Sequence, residues 1–284
     1  MKELISPVND VLFSIKRETD CDLKKPQRFA NYSVIFIPAG TGHYHADFGE
    51  FEFKGPTILF STPLQHIFLS SQEELKFSLL QFHGDFYCIE FHQKEVSCNG
   101  LLFNNIYVAP LLSLSDQEAE TFKRLIADIE EELAKRSPDR MVLIAFLQLF
   151  LARASSIKMH AIETEKTSVV RDEKMEMFVR LLEENYLNFR KPNDYADMLS
   201  MSPNNFSKRS IRYFKKPPSS LIQERIILEA KKKLHLTRLS IKEISHSLNF
   251  EDEYYFSRYF KKITKVSPQL YREKTGISIV ADLK

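Results

Sequence analysis

The same order of residues occurs twice in the C-terminal half of the chain, and this repeat limits the fold more than any other feature. In the second copy, Ile241, Ile244 and Leu248 fall at i, i+3 and i+7, the apolar stripe of a short helix that Ser240 is placed to cap. That helix stops at Asn249, a residue that tolerates the left-handed backbone of a sharp turn. Asp252 and Glu253 then suit a helix start, and Tyr255, Phe256, Tyr259, Phe260 and Ile263 make a second apolar face. In the first copy, Ala196, Leu199 and Met201 align with Ser245, Leu248 and Phe250 at an offset of 49. Phe206, Ser207 and Lys208 align with Phe256, Ser257 and Arg258 at an offset of 50, so the additional residue falls in the turn. Ser202 followed by Pro203 is an N-cap followed by the residue favoured in a first helical turn. Two short helices joined by a tight turn form a helix-turn-helix. Two copies bridged by an apolar and basic helix from Leu221 to Leu236 predict an all-α domain of about seven helices.

Residues 173 to 275 resemble the DNA-binding domain of the AraC/XylS family of bacterial transcription regulators. The likeness is carried by Phe250, Tyr255, Phe256, Ser257, Arg258, Phe260, Lys261, Lys262, Ser267, Pro268, Tyr271 and Arg272. It departs at Asn249 and Lys265, where the family usually has Gly. The resemblance implies a regulator, in the main an activator, that inserts two recognition helices into successive major grooves of promoter DNA, about 34 Å apart. It also implies a homodimer on direct repeats and contact with RNA polymerase. More weakly, the N-terminal half resembles the cupin-like barrel that binds a small-molecule effector in that family, on Gly55 and the run Pro63-Leu64-Gln65-His66.

Charge supports this division. Residues 171 to 284 hold 23 Lys and Arg against 15 Asp and Glu, while residues 1 to 170 hold 17 against 23. An excess of positive charge in the half that carries the helix-turn-helices is the footprint of a phosphate-binding domain joined to a different module. Three cysteines, Cys21, Cys88 and Cys98, show neither CxxC spacing nor a disulfide pattern, which fits a reducing compartment. No run approaches a membrane span and residues 1 to 7 lack a signal peptide's basic start and apolar core, so a cytoplasmic protein is expected, with no membrane partner.

The expected fold class is α+β. Residues 8 to about 110 read as strands, in segments such as YSVIFI, TILFS and LKFSLLQF, broken by Gly and Pro signals. Many short strands at close spacing suggest a small barrel or sandwich. Amphipathic helices follow from Gln117 to Lys135 and from Asp139 to about Met159; the second is apolar on most sides, which predicts either burial or a dimer interface. The expected organisation is a sensing and dimerisation domain at 1–160, a linker at 161–172, a DNA-binding domain at 173–276 and a tail at 277–284.

Sequence readout needs donors and acceptors at base edges, flanked by groups that grip phosphate. In the first recognition helix the candidates are Asn204, Asn205, Ser207, Lys208 and Arg212. In the second they are Glu253, Tyr254, Ser257 and Arg258, with Lys261 and Lys262 suited to phosphate. Arg258 is the strongest single choice, because a guanidinium bonds guanine O6 and N7 together. The bland alternative is that all of these are solvated faces of surface helices. Phe206, Phe256, Phe260 and Tyr259 are read as core rather than as base-stacking residues. His43, His45, Glu50 and His66 partly resemble a cupin metal set, which leaves a cupin metalloenzyme fused to a helical module as the competing function. Their spacing is short of that motif, so no metal and no cofactor is expected and the chain reads as a regulator rather than an enzyme.

Overall fold

The computed structural model describes residues 2–5, 11–19, 23–47, 49–87, 100–168 and 172–276. The chain separates into two compact units, Met1–Asn105 with Ala109–Thr167, and Ile106–Val108 with Ser168–Lys284. All three cysteines, residues 169–171 of the expected linker and the tail 277–284 lie outside the described residues.

In the first unit a six-stranded antiparallel sheet has the order β1 (Lys2–Ile5), β2 (Val11–Thr19), β8 (Lys76–Phe82), β3 (Tyr32–Ile37), β6 (Thr57–Ser61), β9 (Leu111–Ser113). A smaller sheet has the order β5 (Gly49–Lys54), β4 (Thr41–Ala46), β7 (Ile67–Ser70). Successive side chains on a strand point to opposite faces, and the sequence uses both. Val34, Phe36, Ile58, Phe60, Leu80 and Phe82 pack in one cluster with α1 (Asp116–Ala134) and α2 (Arg140–Ser168). Their neighbours Ile35, Ile37, Leu59, Phe77 and Leu79 pack in another with Tyr44, Ala46, Phe53, Ile67 and Leu69 of the smaller sheet. The larger sheet is therefore a central layer, which is why β3 and β6 are buried along their whole length and read as unbroken apolar runs. The strands β1 and β9 were not anticipated from the sequence. Both are short edge strands, recognisable only by their pairing with β2 and β6.

The helix α1 opens on a reciprocal cap between Ser115 and Glu118. Leu143, Leu147, Phe150, Leu151 and Ala154 of α2 are fully buried, and Phe150 meets Phe122 of α1 edge-on at 4.7 Å. Two expectations need correction here. Residues 140–164 form a 25-residue helix that is long and apolar enough, by length and composition, to cross a membrane; its apolarity is accounted for on one side by the core against which it packs. In addition α2 continues to Ser168, through most of the stretch read as a linker. Extending an existing helix adds one hydrogen bond per residue and needs no buried face, so the absence of apolar periodicity after His160 did not mark an end.

The second unit contains, among the described residues, seven helices: α3 (Glu173–Asn185), α4 (Pro192–Met198), α5 (Pro203–Phe214), α6 (Pro218–Leu236), α7 (Ile241–Ser247), α8 (Glu253–Thr264) and α9 (Pro268–Thr275). The sequence repeat is a structural repeat. The helices α4 and α7 both have seven residues, and α5 and α8 both have twelve. Left-handed residues punctuate the copies at matching places, Ser200 (φ 52) with Asn249 (φ 55) and Lys215 (φ 58) with Lys265 (φ 65). The additional residue of the second copy is Glu251. The amide of Met201 bonds Ala196 O as that of Phe250 bonds Ser245 O, at offset 49, whereas the caps Ser202 and Asp252 stand at offset 50.

Phe178 of α3 is fully buried, with Tyr195, Phe206 and Phe214 edge-on around it at 5.5, 4.9 and 6.1 Å. Phe178→Ala is expected to destabilise this unit by about 3–5 kcal/mol, read as a lower denaturant midpoint for loss of helical signal.

Candidate nucleic-acid interface

The two helices that follow the turns, α5 and α8, are built alike. Each has a side-chain N-cap, Ser202 accepting from the Asn205 amide and Asp252 from the amides of Tyr254 and Tyr255. Each buries three residues four apart, Phe206, Ser210 and Phe214 in α5 and Phe256, Phe260 and Thr264 in α8. Residues four apart share one helix face, so the residues between them face outward. Asn204, Asn205, Lys208 and Arg212 are exposed, as are Tyr254, Arg258, Lys261 and Lys262; Ser207, Ser257 and Glu253 are half-buried. At offset 50 these residues pair across the repeat: Asn204 with Tyr254, Ser207 with Ser257, Lys208 with Arg258, Arg212 with Lys262.

Some basic residues of this unit are tied internally, and those on the outward faces of α5 and α8 are not. Arg209 of α5 pairs with the α3 cap Asp172, its Nε donating to Oδ2 at 2.9 Å. Burial on its own would raise the Asp172 carboxyl, but this bond and the Met175 amide hold it below the usual carboxylate range. Arg225 donates to Glu183 at 2.8 Å and lies over the Tyr186 ring at 3.9 Å. Lys216 pairs with Glu224 at 2.6 Å, with both side chains largely buried. Lys208, Arg212, Arg258, Lys261 and Lys262 form no ion pair among the described residues. A surface cation with no internal partner is available to an external anion at no cost in internal contacts.

Two outward residues were missed. Tyr255 was assigned to the apolar face of the second helix, yet it is 51% exposed, beside Tyr254 at 68%. Its ring is tilted against those of Phe250 and Tyr259, at 5.8 and 6.5 Å between centroids. The signal was present in the repeat, because offset 50 pairs Tyr255 with the polar Asn205. Ile211 is likewise exposed and pairs with Lys261. Of the read core residues, Phe206, Phe256 and Phe260 are buried, and Tyr259 is half-buried, its hydroxyl pushed up to about 12 chiefly by burial. The acidic run at the start of α8 is partly structural, since both oxygens of Asp252 are taken by the cap.

In the first unit, His43 and His45 lie on the outer face of β4, opposite Glu52 and Glu50 of β5. The His45 ring stacks on Phe68 at 3.9 Å and its Nε2 meets Ser70 Oγ at 3.0 Å, while the His66 ring meets Phe68 edge-on. Among the described residues no three His, Cys, Asp or Glu side chains are grouped as metal ligands would be.

Residues 195–274, from α4 to the end of α9, match the family model described as a helix-turn-helix domain. This is an AraC-type DNA-binding domain. Solved structures similar to the chain include the C-terminal domain of the two-component response regulator yesN from Fusobacterium nucleatum subsp. nucleatum ATCC 25586. It is 27% identical over 36% of this chain and 99% of that one, with TM-score 0.33. A second, the C-terminal domain of AraT, a response regulator from Geobacillus stearothermophilus, is 24% identical over 38% and 89%, with TM-score 0.35. The apo K231A variant of ToxT from Vibrio cholerae strain SCE256 is 15% identical over 94% and 99%, with TM-score 0.40. No curated protein matches the chain in sequence.

The matched domain makes the chain a DNA-binding transcription regulator. In the AraC-type domain, capping and reading are separate tasks at the start of α8. Asp252→Ala is expected to cost about 0.5–2 kcal/mol of stability by denaturant unfolding, whereas Arg258→Ala is expected to stay within about 0.5 kcal/mol of the parent.

Proposed function

We propose that the protein reads promoter DNA with α5 and α8 in successive major grooves, through Asn204, Asn205, Ser207, Lys208 and Arg212 on the first helix. On the second, Glu253, Tyr254, Ser257 and Arg258 would face bases and Lys261 and Lys262 phosphate. The observation that carries this reading is the set of unpaired, outward cations standing at equivalent places on two helices built alike. Lys208 and Arg258 occupy one position of the repeat and are the central base-reading pair; Arg212 and Lys262 occupy another, one turn further along. Selection of genomic fragments on the full chain at near-physiological salt is expected to return a shared motif with two conserved blocks about 10 base pairs apart. On that motif Lys208→Ala and Arg258→Ala should each cost about 1–3 kcal/mol and relax preference in one block only. Lys262→Ala should weaken all sequences alike and lower the salt slope by about one. Failure to select any motif, with the full chain and with residues 173–284, would sink the reading.

The N-terminal unit is assigned dimerisation and the reception of an effector within a cupin-like fold. Support for a dimer comes from α2. Val142, Ala145, Leu149 and Ala152 follow the i, i+3, i+7, i+10 spacing of a helix-pairing seam. Val142, Ala145 and Leu149 lie on the side away from buried Leu143, Leu147 and Phe150, Ala152 also packs against that core, and Met141 and Leu149 are 71% and 42% exposed. A dimer would double the DNA site, and an effector that alters how the two DNA-binding domains are presented would then control occupancy and contact with RNA polymerase in the cytoplasm. Leu149→Glu places a charge on this seam without touching the core. It is expected to raise the dimer dissociation constant by at least about tenfold in sedimentation equilibrium, with the thermal midpoint of the monomer little changed.

A further inference from the structure

Both helix-turn-helix turns are held from outside by a basic side chain, and both side chains come from the region of α3. Lys174, in the first turn of α3, donates to Leu199 O at 2.6 Å. Arg190, five residues beyond the end of α3, donates through Nη2 to Leu248 O at 2.7 Å and to Asn249 O at 2.8 Å. Leu199 and Leu248 are equivalent residues of the repeat, the C-terminal ends of α4 and α7. The second clamp is the more elaborate. The Arg190 guanidinium lies over the Phe250 ring at 3.9 Å, and Asn249 Nδ2 donates to Asn188 Oδ1 at 3.1 Å. Phe250 in turn packs against Phe256 and Tyr259 of α8 at 5.2 and 5.4 Å. At its other end α3 also holds α5 directly, through Asp172 and Arg209.

The geometry points to α3 and the loop after it as a two-ended brace that fixes each reading helix in its groove, with Lys174 and Asp172 positioning α5 and Arg190 and Asn188 positioning α8. These are positioning residues: none needs to touch DNA. The contacts supply what a short helix lacks. A helix end leaves carbonyls without an intrahelical partner, and a cation that satisfies them also fixes the direction in which the chain leaves the turn. Arg190 is suited to this because its planar fork stacks and donates together, which an ammonium does not do. The inference rests on the DNA-reading assignment of α5 and α8 and adds to it that the two blocks of the site depend on different ends of α3.

The test compares full-chain Arg190→Ala, Arg190→Lys, Asn188→Ala and Lys174→Ala on the DNA selected by the parent protein, scanning base substitutions across both blocks. Amide hydrogen exchange of the free proteins is followed in parallel. Arg190→Ala should speed exchange at residues 248–252 and erase base preference in the α8 block, with roughly tenfold weaker binding, while the α5 block keeps its preference. Arg190→Lys should restore little of this, and Asn188→Ala should give a smaller loss in the same block. Lys174→Ala should do the reverse, acting at residues 199–202 and on the α5 block alone. Should Arg190→Ala unfold the domain, Arg190→Gln, which keeps a flat group over Phe250 but loses the fork, carries the same comparison. Equal weakening at both blocks, or unchanged exchange in both turns, overturns the brace. A parent protein that selects no motif overturns the DNA reading and the positioning role with it, and the exchange data then still decide whether the clamps hold the turns.

Discussion

The C-terminal unit depends on how two seven-residue helices end. A helix of that length is about 10 Å long and cannot stand without its neighbours, and its last carbonyls must find donors. In both copies the chain reverses through a left-handed residue, and an amide five residues beyond its acceptor closes the turn, Met201 to Ala196 and Phe250 to Ser245. Neither left-handed residue is Gly. Asn249 replaces the absent freedom with a side chain that tolerates the conformation and bonds Asn188. Ser200 has no such standing, and the burial of Leu199 and Ala196 around it offsets the local cost. The direction of α5 and α8 follows from these turns, and the outward face of each helix follows from its direction.

Burial then sorts the charges. This unit carries its excess of Lys and Arg for two unrelated reasons, and composition does not separate them. Arg190, Arg209, Lys216 and Arg225 close carbonyls or carboxylates inside the unit. Desolvation favours the neutral form of a buried cation, and Arg190 is shifted downward chiefly for that reason, yet a guanidinium stays charged there because its basicity is so high. Lys208, Arg212, Arg258, Lys261 and Lys262 have no such tie. Cations tied inside the unit are not available to a phosphate backbone, so the net charge of the segment overstates its footprint.

The repeat was legible in the sequence because an offset is a relation between residues and does not depend on how any one of them packs. It located both turns and placed the additional residue within the second, where the structure identifies it as Glu251. Single-helix periodicity was less reliable. A tyrosine scores as apolar on a face it need not share, and Tyr255 went to the core on that ground although its repeat partner is Asn205. Arg209 could not be separated from Lys208 by pattern, since its partner Asp172 is 37 residues away. The N-terminal unit was legible as many strands, but its layering was not. The two-sided burial of β3 and β6 comes from a second sheet and two helices far along the chain, and β9 exists only because β6 offers it an edge.

The two helices proposed to read DNA, α5 and α8, are equal in frame and unequal in chemistry. Asn204 and Asn205 give α5 flat amides that suit adenine. The matching Tyr254 and Tyr255 give α8 broad rings with one hydroxyl each, followed by Arg258, which suits guanine. The inserted Glu251 and the carboxylate of Glu253 put negative charge at the start of α8, where it favours the helix dipole and repels phosphate. The opening of α8 is thereby set against close backbone contact, while its later turns carry Lys261 and Lys262. A frame duplicated with such differences divides the work. On the proposed reading the first helix, with donors at its N-terminal end, would enter its groove tip first, whereas the second would lie along its groove with the cations of its last turns on the strand.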